Sequence, residues 1–215
     1  IADGPTIQVA NTVALENGVT LKQTLDMVAQ ARAEGITIPI ILMGYYNPIM
    51  TYGDDKFIQD AATAGANGFI IVDLPPEEAL MFRNKVNENG LSLVPLVAPS
   101  TTDDRLALLA EIASSFVYVV SRMGTTGSQT SVSSNLDNLV ARVRKYTKDT
   151  PIAVGFGVAT RQHFESVGPL ADGVVIGPKI LTLCGQAAKV TTYDVATLSS
   201  EQILNCTHHN ILTTS

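Results

Sequence analysis

Six short apolar runs recur along the chain: IPIILM (38–43), GFIIVD (68–73), LSLVPLV (91–97), FVYVVS (116–121), PIAVGF (151–156) and DGVVIG (172–177). Each is nearly continuous in apolarity rather than alternating, the pattern of strands covered on both faces in a parallel sheet. Helix patterns fill the gaps, at 54–64, 76–89, 102–114, 134–147 and 160–167, and two more, at 6–17 and 20–34, precede the first run. Thr20 stands where an N-cap is needed and Gly35 follows the last turn. Pro76 opens its helix with a fixed φ, and Glu77 and Glu78 place negative charge at the positive end of the dipole. One helix per gap implies right-handed crossovers and a parallel sheet. A doubly wound sheet and a (β/α) barrel both satisfy this order, although a closed barrel takes eight strands.

The two leading helix patterns have no strand before them, so IADGPTIQ reads as an interior loop cut just after the strand it leaves. Residues 1–180 form one α/β unit. Residues 181–215 are polar, rich in Thr and Ser, faintly helical around 196–204, and read as a helix or linker-like tail.

Composition narrows the function classes. Only 16% of residues are charged and the formal charge is −6, which opposes nucleic-acid binding because that binding relies on Lys and Arg displacing counterions. The basic cluster Arg142, Arg144 and Lys145 lies on a helix pattern and reads as a solvated face. No apolar stretch approaches the roughly 18 residues that span a bilayer. Cys184 and Cys206 are far apart and read as free thiols in a reducing cytoplasm. With His163, His208 and His209 they offer no metal-ligand spacing.

In parallel α/β folds ligands gather at the C-terminal ends of the strands. Here those ends read MGYYNP, VDLPPEE, APSTTDD, SRMGTTG, GFG and IGPK. Gly124, Gly127, Gly155, Gly157 and Gly177 fall on the last three, where glycines let backbone N–H groups approach an anion and a following helix adds its dipole. Asp73 follows a strand directly before Pro75-Pro76 and reads as a cap of the next helix; Asp172 precedes the last strand, at the opposite end of the fold, and reads as structural. Asp3 is a turn former in Asp-Gly-Pro on local evidence alone. Tyr45 and Tyr118 stand near strand ends, where core and aromatic pocket wall are equal readings.

Together LMGYYNPIM, GANGFIIVDLPPEEA, LVAPSTTDDR, YVVSRMGTTG and VGFGVATRQHF, in this order after ADGPTIQ, resemble the strand–loop signatures of the tryptophan synthase α subunit, nearest in kind to the fused fungal enzyme. The resemblance implies a (β/α)8 TIM barrel, incomplete here, with about six βα units and the first two strands missing. It implies a lyase of tryptophan biosynthesis that cleaves indole-3-glycerol phosphate to indole and glyceraldehyde 3-phosphate. The implied partner is a β unit, fused or separate, in which pyridoxal phosphate joins indole to serine. No cofactor is implied for this chain itself. By resemblance Asp3 matches the aspartate that holds the indole nitrogen, Tyr45 and Tyr118 match pocket aromatics, and Ile70, Val72 and Phe156 match apolar walls. Thr126 matches the threonine of the mobile loop over the substrate, and Gly127, Gly157 and Gly177 match backbone donors to the phosphate.

Two departures qualify the expected activity. The family's acid/base glutamate belongs to a strand upstream of Ile1, so activity of this stretch alone is expected to be impaired. Gly177 is followed by Pro178 where the family has serine, which removes one N–H and one hydroxyl from the phosphate loop. A second reading is a non-catalytic phosphate-binding domain that docks on a β unit and modulates it.

Overall fold

A computed structural model describes residues 3–120, 130–155 and 157–194. The chain enters through two helices, α1 (Pro5–Glu16) and α2 (Leu21–Ala33). Then follow β1 (Ile41–Gly44), α3 (Tyr46–Tyr52), α4 (Asp54–Ala64), β2 (Gly68–Ile71), α5 (Pro76–Glu88), β3 (Ser92–Leu93) and β4 (Leu96–Val97). The remainder is α6 (Asp103–Ile112), β5 (Val117–Val120), α7 (Thr130–Thr147), β6 (Ile152–Gly155), α8 (Arg161–Val167), β7 (Gly173–Val175) and α9 (Pro178–Asp194).

Local chemistry accounts for many of these boundaries. Thr20 and Gln23 form a reciprocal capping box that starts α2. Asp54 and Asp55 occupy the first turn of α4, and Gly65 ends it at φ 92, a left-handed conformation that glycine adopts without a Cβ penalty. Two helices were not legible as patterns. The short α3 contains Pro48, and α9 lies largely in the stretch that reads as a polar tail; 196–204 is outside the described residues.

All strand pairs are parallel, in the orders β1-β2-β3 and β4-β5-β6-β7. The run 91–97 supplies both β3 and β4. Pro95 has no N–H to donate, and the run changes neighbours there: Val94 N–H still donates to the Phe69 carbonyl (2.9 Å), and the Pro95 carbonyl accepts from Tyr118 N–H (3.0 Å). The strands therefore succeed one another in chain order as an arc of a (β/α) barrel, with β1 and β7 at its two edges among the described residues.

The helices cover one face of this arc. Phe69, Ile71, Leu93, Val97, Val117, Val119, Ile152 and Val154 are buried there, and Phe69 stacks among Phe57 and Phe82. The opposite face differs from the expectation of strands covered on both sides. Its residues Ile70, Tyr118 and Ala153 are half-buried and Met43 is 54% exposed. Among the described residues the arc does not close, which leaves its concave side without facing strands to fill it.

Close approach fixes one glycine of the sheet. A Cβ on Gly68 would strike the Ser92 carbonyl of the paired strand β3, which is backbone and cannot swing aside. Gly68→Ala is expected to destabilise the fold by about 1–3 kcal/mol through overpacking, measured as a lowered denaturant midpoint.

Asp172 buckles the end of the arc away from the strand C-termini, as its place in the sequence suggested. Its Oδ2 accepts from Ile152 N–H and from the Arg144 guanidinium, both at 2.8 Å. These bonds, the backbone one first, hold its carboxyl below the usual carboxylate range. A carboxyl lowered in the folded state stabilises it fully above the unfolded pKa of about 3.9, and the contribution is lost as pH falls through the folded value. Asp172→Asn is expected to reduce stability near neutrality and to flatten its decline in acid, read from denaturant midpoints across pH.

Candidate active site

The C-terminal ends of the first two strands lie side by side because β1 and β2 pair in register, Gly44 opposite Ile71. Tyr45 leaves β1 in extended backbone (φ −99, ψ 155) as the N-cap of α3, and the helix has no side-chain cap of its own. The Tyr45 hydroxyl donates to Asp3 Oδ2 at 2.8 Å, so a residue 42 positions earlier in the chain meets the end of β1. Asp3 sits just ahead of α1, and α1 packs on α9, the helix that follows the last strand. Gln8 Nε2 donates to the Asp3 carbonyl at 2.7 Å and steadies the loop.

By strand parity Ile70, Val72 and Tyr118 project on the concave side, where all three are half-buried. Tyr118 lies across Gly155 of β6: a Cβ there would collide with the Tyr118 ring and hydroxyl. Gly155 is therefore a packing glycine that lets the aromatic ring lie against the strand. Burial pushes the Tyr118 phenol up, so it stays protonated near neutrality and serves as a wall or donor rather than a base.

Gly157 and Gly177 sit on the loops after β6 and β7, and a Cβ on either would meet no atom within 4 Å. Gly157 also has φ 64, which favours glycine on backbone grounds. Pro178 occupies the first position of α9, as its fixed φ suits, and the Gly177 carbonyl accepts from Ile180 N–H (3.0 Å). Pro178 itself has no N–H to offer an anion. Thr126, Gly127 and Phe156 lie outside the described residues, as does Gly124.

Asp73 differs from the expectation. Its Oδ1 accepts from Tyr46 N–H at 2.7 Å, so it caps α3 and not the following helix α5. The reason is donor supply. α5 begins at Pro75-Pro76, which have no N–H groups, while the uncapped start of α3 lies beside Asp73 across the β1–β2 pair. Tyr46 in turn donates its hydroxyl to Asp54 Oδ2 (2.8 Å), and burial together with that carboxylate raises its phenol to about 12. Sequence reading missed this anchoring role of Tyr46 and Asp54; the signal was the parallel order, which sets successive strand ends next to each other.

A cavity of about 310 Å³ opens between the end of β2 and β4, where the strands do not pair. Val72, Asp73, Leu96 and Arg105 are among its lining, but Asp3, Tyr45 and Tyr118 are not. Among the described residues no group of His, Cys, Asp and Glu could hold a metal ion, and no helix is long and apolar enough to cross a membrane.

Comparison with known proteins places the chain in a family. The family model described as tryptophan synthase alpha chain matches residues 1–209. Tryptophan synthase of Saccharomyces cerevisiae is 73% identical over 212 residues, 99% of this chain and 30% of that protein. The tryptophan synthase alpha chain of Dehalococcoides mccartyi is 45% identical over 183 residues, 85% of this chain and 71% of the relative. A solved structure of the tryptophan synthase α2β2 complex of Pyrococcus furiosus superposes with a TM-score of 0.79 at 37% identity, covering 86% of this chain and 75% of that one. The chain thus spans under a third of the yeast protein it matches, and most of the bacterial alpha chain. On the family model over residues 1–209 and the bacterial relative matched over most of its length, the chain belongs to the tryptophan synthase alpha chain family.

Proposed function

We propose that this chain carries the site of the tryptophan synthase α reaction, the lyase cleavage of indole-3-glycerol phosphate to indole and glyceraldehyde 3-phosphate in tryptophan biosynthesis. The observation that carries the reading is the Tyr45–Asp3 hydrogen bond, which stands at the end of a concave, half-open apolar face. Asp3 Oδ2 is held by the phenol, which leaves Oδ1 to accept the indole N–H. Ile70, Val72 and Tyr118 offer the apolar and aromatic wall that a flat bicyclic ring needs. Gly157, Gly177 and the start of α9 suit a phosphate, because the glycines leave open space and the helix N-terminus favours an anion. Thr126, Gly127 and Phe156 are proposed to complete the loop, the phosphate donors and the wall.

In the cleavage, indole C3 gains a proton, the bond from C3 to the glycerol carbon breaks with its electrons returning to the ring, and the adjacent hydroxyl loses its proton as the aldehyde forms. A carboxylate on the ring N–H favours the electron-rich enamine character that C3 protonation needs. Asp3 is assigned this role and no proton transfer to carbon.

We further propose a β unit as partner, to which pyridoxal phosphate is assigned. Among the described residues the site face offers a carboxylate, phenols and aliphatic groups, none of which forms the lysine Schiff base that holds that cofactor. A cytoplasmic location is supported by Cys184, an exposed free thiol suited to a reducing compartment. The decisive experiment is indole release from indole-3-glycerol phosphate by the full-length polypeptide that carries this chain. Turnover supports the reading, and none, with or without a β unit, overturns it.

A further inference from the structure

We propose that Asp73 is a positioning residue for this reaction, acting on Asp3 through the Tyr45–Tyr46 pair. The inference rests on the α reaction proposed above and concerns how its indole-binding carboxylate is aimed.

Two consecutive tyrosines are pinned by three carboxylates from three parts of the chain. Tyr45 donates its hydroxyl to Asp3 (2.8 Å), Tyr46 donates its amide to Asp73 (2.7 Å), and Tyr46 donates its hydroxyl to Asp54 (2.8 Å). The backbone on the other side of Tyr45 is equally fixed, since the Gly44 carbonyl accepts from Val72 N–H at 2.9 Å. Tyr45 is therefore clamped between a strand bond one residue before it and the Asp73 bond one residue after it. Both clamps come from the same neighbouring segment, Val72–Asp73, so the tyrosine is referenced to the end of β2.

The clamp matters because α3 has no side-chain cap of its own at its N-cap. Its N-cap is Tyr45, whose side chain accepts no bond from the helix and points instead to Asp3. With seven residues, α3 gains little from its own hydrogen bonds. Asp73 supplies the missing acceptor and a negative charge at the helix start. Without it the first turn loosens, and the Tyr45 phenol swings with it.

Asp3 depends on that phenol. Among the described residues Tyr45 is the one hydrogen-bond donor to its carboxylate, which otherwise projects from a short loop. A fixed Oδ2 sets the plane of the carboxylate and so the direction in which Oδ1 meets the indole N–H. A displacement of order 1 Å at such a contact costs up to about a hundredfold in rate.

The test is steady-state indole release by the full-length polypeptide bearing Asp73→Ala, Asp73→Asn, Tyr45→Phe and the Asp73→Ala/Tyr45→Phe pair. Asp73→Ala is expected to lower kcat/KM by roughly 10- to 100-fold, mainly through kcat. Asp73→Asn keeps an oxygen for the Tyr46 amide and is expected to restore activity to within about threefold of wild type, as loss of one partner's charge alone allows. The double variant is expected to be no worse than the poorer single one, because both changes release the same carboxylate. Asp172→Ala, at the far end of the arc, serves as the control that lowers stability without moving kcat or KM. Should Asp73→Ala fail to fold, Asp73→Ser, too short to reach the amide, replaces it with the same expected loss.

Wild-type kcat in Asp73→Ala or Asp73→Ser, or losses that add fully in the double variant, would overturn the positioning role while leaving the α reaction standing. Absence of turnover in the wild-type polypeptide would remove both.

Discussion

Asp3→Ala in the full-length polypeptide is expected to lower indole release from indole-3-glycerol phosphate by roughly 10²–10³-fold, the usual cost of deleting one preorganised polar partner at a reacting group. The loss arises because the substrate's ring N–H would face a gap, while the Tyr45 hydroxyl would lose its acceptor at the same moment. Asp3→Asn keeps a carbonyl oxygen but not the charge, and about a tenfold loss is expected, in line with the stronger bonding of an ionised acceptor. If the carboxylate acts on the developing charge of the ring, kcat falls; if it only holds the ground state, KM rises and kcat does not. Full activity in Asp3→Ala would show that the residue merely turns the chain. Neither substitution should move the unfolding midpoint much, since Asp3 is half-buried and outside the main core.

The second large effect is at Gly155. Gly155→Ala places a methyl group where the Tyr118 phenol lies, so either the ring must leave the strand or the strand must shift. Overpacking of this kind costs about 1–3 kcal/mol in stability. A ring that leaves the strand swings further into the concave space that a bicyclic substrate needs, so substrate binding is expected to weaken by at least about tenfold, a 1.4 kcal/mol equivalent. Fluorescence titration with indole-3-glycerol phosphate checks the binding, and thermal unfolding checks the cost. A paired Tyr118→Ala change should relieve the stability loss, because the colliding ring is gone. A Gly155→Ala protein with unchanged binding and midpoint would mean that Tyr118 does not rest on that strand.

Much of the fold was legible because its signals are local. Thr20 with Gln23, Asp54 with Asp55, Gly65 and Pro76 each fix a helix end through contacts a few residues apart. The apolar runs located the strands for the same reason. α3 was not legible because its stabilising partner, Asp73, is 27 residues away, and α9 was not because Gly185 lies within it and a Thr- and Ser-rich stretch follows it. The site divided along the same line. Motif order singled out Asp3, Tyr45 and Tyr118, but composition and spacing left Asp3 a turn residue and the tyrosines ambiguous.

The sequence by itself determined the order of strands and helices, the family, and the residue types at the strand ends. Tertiary structure alone decided that Asp3 meets Tyr45, that Asp73 serves α3 rather than α5, and that Gly155 makes room for a ring. The physical reason is that local propensity acts between neighbours in the chain, whereas parallel pairing brings the ends of β1 and β2 together across an intervening helix pair. Which donor a carboxylate finds there depends on which amides the neighbouring strand end leaves free.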